Sequence, residues 1–119
     1  MATGGDAPVV LTPLLHIVAL RFRPELTDAE IVAHFERDVA LSRRMPELVA
    51  AWVFKRNVSL TQRSDVNGGC GWVVISRLHD ATRLSEYLAH TEHHAIAAIQ
   101  SSLITSKFVV DCEGAGVGW

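Results

Sequence analysis

The chain predicts an α+β fold in the order β-α-β-β-α-β, a four-stranded antiparallel sheet with its helices on one face, the ferredoxin-like plan. Three observations predict it. Four segments carry strand-like composition and alternation. Two stretches of helical periodicity separate them, each with a recognisable start. The helical stretches follow the first and third strands, and no internal period signals a repeat architecture.

The first strand is "LLHIVALRFR" (14–23). His16, Val18, Leu20 and Phe22 share one face, and Leu15, Ile17 and Ala19 share the other. Both faces are largely apolar, which predicts a strand covered on both sides. After Pro24, Thr27 and Glu30 form a capping box, with Leu26 and Ile31 as the hydrophobic staple around it. Ile31, Phe35, Val39 and Ser42 then mark one side of a helix that ends near Met45, before Pro46. "LVAAWVFKRNV" (48–58) has the β-branched and aromatic content of a second strand. "SLTQRSDVNGGCG" reads as a long, flexible hairpin connection and "WVVISRL" (72–78) as the third strand. A second helix over 80–89 carries Leu84, Tyr87 and Leu88 on one side. A restart at Thr91 leads a helix with Ile96, Ile99 and Leu103 inward, and "KFVVDC" (107–112) is the fourth strand.

With 119 residues the chain is long enough for one core. Its domain organisation reads as a flexible arm over 1–13, a folded unit over 14–112 and a tail over 113–119. A formal charge of −2 with scattered basic residues argues against nucleic acid as a partner, since phosphate binding needs clustered cations. Arg43–Arg44 stands apart from that scatter, but at a helix C-terminus, where cations suit the macrodipole. No apolar run approaches the ~20 residues of a membrane span, and the N-terminal stretch lacks the basic start of a signal peptide. Cys70 and Cys112 form no C-x-x-C pattern and read as reduced thiols. The expectation is a soluble, cytoplasmic protein.

Helices on one sheet face leave the other bare, yet Leu15, Ile17 and Ala19 make that face apolar. A broad exposed apolar face calls for a partner. Two such sheets packed face to face would form a homodimer with a closed barrel core.

The segment "EYLAHTEHHA" (86–95) holds three of six histidines and the one tyrosine. Three readings compete for Tyr87, His90, His93 and His94. Three- and four-residue spacings from His90 can bring two ring nitrogens to one metal ion. Residues 90–91 read as a helix break, however, and no third ligand is evident, so the sequence predicts neither metal nor cofactor. Alternatively, His90 caps the following helix, His94 is solvated and Tyr87 is a core residue with one hydroxyl partner. In the third reading an imidazole moves protons at neutral pH while a phenol stabilises developing charge.

"LHIVALRFRPELTDAEI", "RNVS" (56–59), "YLAHTEHHAI" and "VVDCE" together resemble the stress-responsive A/B barrel domain family, Dabb, of the dimeric α+β barrel superfamily. Thr91 stands where that family usually has proline. Some members resemble plant stress proteins known for stability. Others resemble polyketide cyclases of the olivetolic acid cyclase type, which use no metal or organic cofactor. The resemblance to these cyclases implies a homodimer acting on a small polyketide-like substrate, with His93 as catalytic base and Tyr87 as oxyanion donor. It places the pocket between the helices and the sheet, with His16 at the start of strand one and Val74 on strand three. His34, Phe35 and Asp38 replace aromatic residues of the first helix, and Trp72 replaces a histidine, so a different substrate shape is expected. Val18, Leu20, Phe35, Val74, Leu88, Ile96 and Ile99 would wall the pocket and exclude water.

His34 and Asp38, four apart, either form a pocket-facing pair in which Asp38 orients His34, or a surface ion pair of little consequence. A cavity on the order of several hundred Å³ around His93 and Tyr87 would fit a cyclase or lyase. A filled cleft would fit a non-enzymatic stability or binding protein. A cofactor-free oxygenase of the same superfamily is the third class.

Overall fold

A computed structural model describes residues 12–58 and 69–113. The elements are β1 (Leu14–Phe22), α1 (Asp28–Ser42), β2 (Val49–Arg56), β3 (Trp72–Leu78), a 3-10 turn (Ala81–Arg83), α2 (Leu84–Ala89), α3 (Thr91–Ser101) and β4 (Ile104–Glu113). The strands form one antiparallel sheet in the order β2-β3-β1-β4, which is the α+β ferredoxin-like fold. Most of the expected N-terminal arm, the hairpin connection and the C-terminal tail lies outside the described residues. Among the described residues no helix is long and apolar enough to cross a membrane.

Local chemistry sets the element ends. The Glu30 amide donates to Thr27 Oγ1 (3.2 Å) and the Thr27 amide donates to Glu30 Oε1 (3.2 Å), closing the capping box at the start of α1. β4 begins at Ile104, three residues before the expected Lys107. The chain turns tightly after α3, where the Leu103 amide donates to the Gln100 carbonyl, so Ile104 enters the sheet without a longer linking loop. The buried stripe of α1 is Ile31, His34, Phe35, Asp38 and Ser42. Val39, expected on it, is half-buried.

His34 and Asp38 are no surface pair. Their side chains are 3% and 0% exposed, and Nε2 approaches Oδ2 to 3.0 Å. Burial pushes the Asp38 carboxyl above its ordinary value, with His34 opposing the rise. Moving such a pair from water is costly.

The core has two parts. Leu14, Met45, Leu48, Leu78, Tyr87 and Ile96 pack at one end. At the other, Phe35 is fully buried, stacked on Phe54 at 4.7 Å between centroids and flanked by Phe22, Trp52 and Trp72. The opposite sheet face carries Val53, Ile75, Ile17 and Val110 in one continuous row across all four strands, beside Val73, Ala19 and Phe108. Phe108 and Val110 are 57% and 53% exposed.

Phe35 holds five rings in one cluster. Phe35→Ala should cost about 3–5 kcal/mol in urea unfolding, whereas Val39→Ala, half-buried on the same helix, should cost far less.

Candidate active site

The floor of the site is a single cross-strand row. His16 on β1 stands opposite Ser76 on β3 and Asp111 on β4, and Ser76 in turn opposes Trp52 on β2. Because side chains alternate along a strand, all four face the helices. His16 Nδ1 lies 2.6 Å from Asp111 Oδ1. The carboxylate orients the His16 ring through this nitrogen.

The roof comes from α2 and α3. They are separated by one residue, His90, whose backbone is extended at φ −67° and ψ 140°. In an unbroken helix, residues six apart would be rotated about 120° from one another and separated by roughly 9 Å along the axis. The break instead brings Tyr87 and His93 together, with ring centroids 4.7 Å apart. His16 lies beneath both, at 5.6 Å from Tyr87 and 6.4 Å from His93.

Between floor and roof is a cavity of about 160 Å³, lined by His16, Val18, Trp52, Val74, Ser76, Tyr87, Leu88, His93, Ile96, Ala97, Gln100, Lys107, Val109 and Asp111. It is smaller than the several hundred Å³ of a roomy ligand pocket, yet the cleft is not filled. A volume of about this size admits a benzene-sized group. Leu88, Val109 and the Asp111 side chain are part-exposed, so the mouth runs along edge strand β4.

The electrostatics set the two rings in complementary states. Burial, then the neighbouring His16, lowers the His93 pKa below the usual imidazole value; His94 and Lys107 add to this, and a hydrogen bond with the Leu88 backbone opposes it. His93 is therefore neutral at pH 7, with a lone pair to accept a proton. Burial raises the Tyr87 pKa, and the carboxylates of Asp38 and Asp111 raise it further, against the Ser76 hydroxyl beside it. The phenol therefore keeps its proton.

His16, Val18, Val74, Tyr87, Leu88, His93 and Ile96 come together at this cavity. Leu20, Phe35 and Trp72 lie in the aromatic end of the core, with the Arg56 guanidinium over the Trp72 ring at 4.9 Å. His34 and Ile99 border a separate groove between α1 and α3, and Asp38 is sealed behind it. Ser76, Gln100, Lys107 and Asp111 were not singled out from the sequence. The available signal was a lone serine and a lone carboxylate in otherwise apolar strand segments. Among the described residues no group of three or more His, Cys, Asp or Glu side chains is placed to hold a metal.

A one-sided helical roof over a four-stranded antiparallel sheet, enclosing a small histidine–tyrosine cavity, defines an α+β protein of ferredoxin-like fold. The chain belongs to the stress responsive A/B barrel domain family, Dabb, whose model matches residues 14–113. No curated protein matches it significantly. Among solved structures, the hydroxynitrile lyase of Passiflora edulis is similar, with TM-score 0.70 and 13% identity over 89% of this chain and 96% of that one. SnoaB, a cofactor-independent oxygenase from Streptomyces nogalater, gives TM-score 0.66 and 14% identity over 88% and 95%. A dimeric ferredoxin-like protein of unknown function from Thermobifida fusca gives 0.68 and 19% over 87% and 92%.

In an NMR titration His93 should protonate at lower pH than a free imidazole. Lys107→Met should move its midpoint upward, because one of the charges that disfavour the imidazolium is gone.

Proposed function

We propose that the protein is a cofactor-independent cyclase or lyase that makes or breaks a carbon–carbon bond beside a carbonyl, on a small polyketide-like substrate. The observation that carries this reading is the pairing of a neutral imidazole with a protonated phenol, 4.7 Å apart over a 160 Å³ cavity. In the cyclising direction, His93 takes the acidic proton from a carbon between two carbonyls. The electron pair becomes an enolate, and Tyr87 donates a hydrogen bond to its oxygen. The carbon then attacks a second carbonyl within the same chain, and the alkoxide formed recovers the proton from His93. Holding both ends in one dry cleft supplies most of the advantage over water. The reacting end fits the cavity, and the remainder of a longer chain leaves along Leu88, Val109 and Asp111.

The small volume also favours a second reading, cleavage of a compact hydroxynitrile, the substrate class named for the Passiflora relative. There His93 takes the hydroxyl proton, the oxygen's electron pair forms the carbonyl, and the carbon–carbon bond breaks to release cyanide. Lys107 supplies a cation at the cavity wall for the departing anion.

The two are separated by product: ring closure of a β-polyketo thioester against cyanide release from hydroxynitriles. For whichever is turned over, His93→Ala should lower kcat/KM by about 10²–10⁴-fold and Tyr87→Phe by about 10²–10³-fold. The sign of the pH dependence follows from the base. Activity rises as His93 loses its proton, with its midpoint below the ordinary imidazole value of about 6.5. Full activity in both variants ends the assignment. A wild-type chain inert towards both substrate classes supports a non-enzymatic stability protein, and oxygen uptake with an aromatic substrate supports an oxygenase.

The same reading includes a homodimer through the outer sheet face. The Val53–Ile75–Ile17–Val110 row and exposed Phe108 support it, as do fold relatives described as dimeric. Light scattering should give twice the chain mass, and Val110→Asp should give the monomer. A wild-type monomer at every concentration would end the pairing.

A further inference from the structure

We infer that His90 is a positioning residue: its side chain holds the one-residue break that turns His93 towards Tyr87. The inference rests on the acid–base reading for its functional meaning, but its geometry stands alone.

His90 serves both neighbouring helices at once. Its own amide donates to the carbonyl of Tyr87, the residue carrying the phenol (3.1 Å), and caps α2 after Ala89. Its Nδ1 accepts the Glu92 amide (3.1 Å) and its carbonyl accepts the His94 amide (3.0 Å), which starts α3 at Thr91, two residues before the imidazole of His93. The first turn of a helix leaves amides without intrahelical partners. The His90 ring does here what serine or aspartate does at most helix starts.

Contacts to the turn after α1 hold the junction from outside. His90 Nε2 stands 3.8 Å from Glu47 Oε1, Arg44 Nη1 stands 3.7 Å from Glu92 Oε1, and Arg83 Nη1 donates to the Glu47 carbonyl (3.2 Å). The His90–Glu47 and Arg44–Glu92 contacts are partly solvated and individually weak. They orient the ring rather than fix it, and the cap is the principal restraint.

Residue 91 sharpens the argument. A proline there would force residue 90 into the extended region and suit the first helical position, fixing the break covalently. This chain has Thr91, which imposes neither constraint. Without the His90 cap, the break loses its principal restraint, and α2 and α3 are freer to merge or the junction to swing. A swing of about 1 Å at His93 is enough to cost on the order of 100-fold in rate.

The test uses the full chain and three variants: His90→Ala, His90→Asn, and His90→Ala with Thr91→Pro. Two measurements need no substrate: the His93 titration midpoint and the nuclear Overhauser contact between the Tyr87 and His93 rings. His90→Ala should weaken the contact and move the midpoint up towards the ordinary imidazole value, as the ring loses burial. His90→Asn keeps a cap acceptor, and the double variant restores the break by other means, so both should stay near wild type. Turnover should follow the same order, with about a tenfold or greater loss confined to His90→Ala. A midpoint and ring contact unchanged in His90→Ala, or not restored in the double variant, overturns the inference. The stated shifts in a chain that turns over neither substrate class would keep the positioning role and remove the catalytic reading.

Discussion

One extended residue between two short helices decides what this site can be. Tyr87 and His93 are six positions apart, and in an unbroken helix they would point in different directions. The break at His90 folds that separation into a contact at 4.7 Å. Every chemical property assigned to the roof follows from this change of direction. It puts the imidazole where burial and His16 keep it neutral, and the phenol where burial and nearby carboxylates keep it protonated.

The floor adds what the roof lacks. His16 and Asp111 are 95 residues apart in the chain and 2.6 Å apart in the fold, joined by the β1–β4 register. The cavity therefore contains two histidines in different circumstances, one tied to a carboxylate and one to a backbone carbonyl. Its size has an equally specific cause. Phe35, with Phe22, Trp52, Phe54 and Trp72, fills the β2–β3 end of the cleft. The remaining space is displaced towards the edge strand, where Val109 and Asp111 border the mouth.

Much of this architecture was legible because its causes are local. Thr27 and Glu30 mark a helix start by direct hydrogen bonding, and the β1 alternation separates an inner from an outer face within nine residues. The 86–95 cluster was visible as composition. What stayed hidden depends on strand register, which a single sequence does not state: Ser76 and Asp111 become floor residues only when β3 and β4 align on His16. Leu20, Phe35 and Trp72 were expected at a pocket wall. They have the right face and type, but the aromatic residues pack against one another and close that end. His34 and Asp38 show the opposite difficulty, since four-residue spacing reads the same on a wet surface as in a sealed interior.

The edge strand carries a consequence of its own. Along β4, Lys107, Val109 and Asp111 turn inward to the cavity, and Phe108 and Val110 turn outward to the bare apolar face. The lip of the cavity and the outer surface are thus two sides of one ribbon a single residue thick. A strand at the margin of a sheet has a neighbour on one side only, so its stiffness is borrowed from whatever presses on its back. Anything that covers Phe108 and Val110 also steadies the carboxylate holding His16, which makes the quality of the inner chemistry answerable to the company the protein keeps outside.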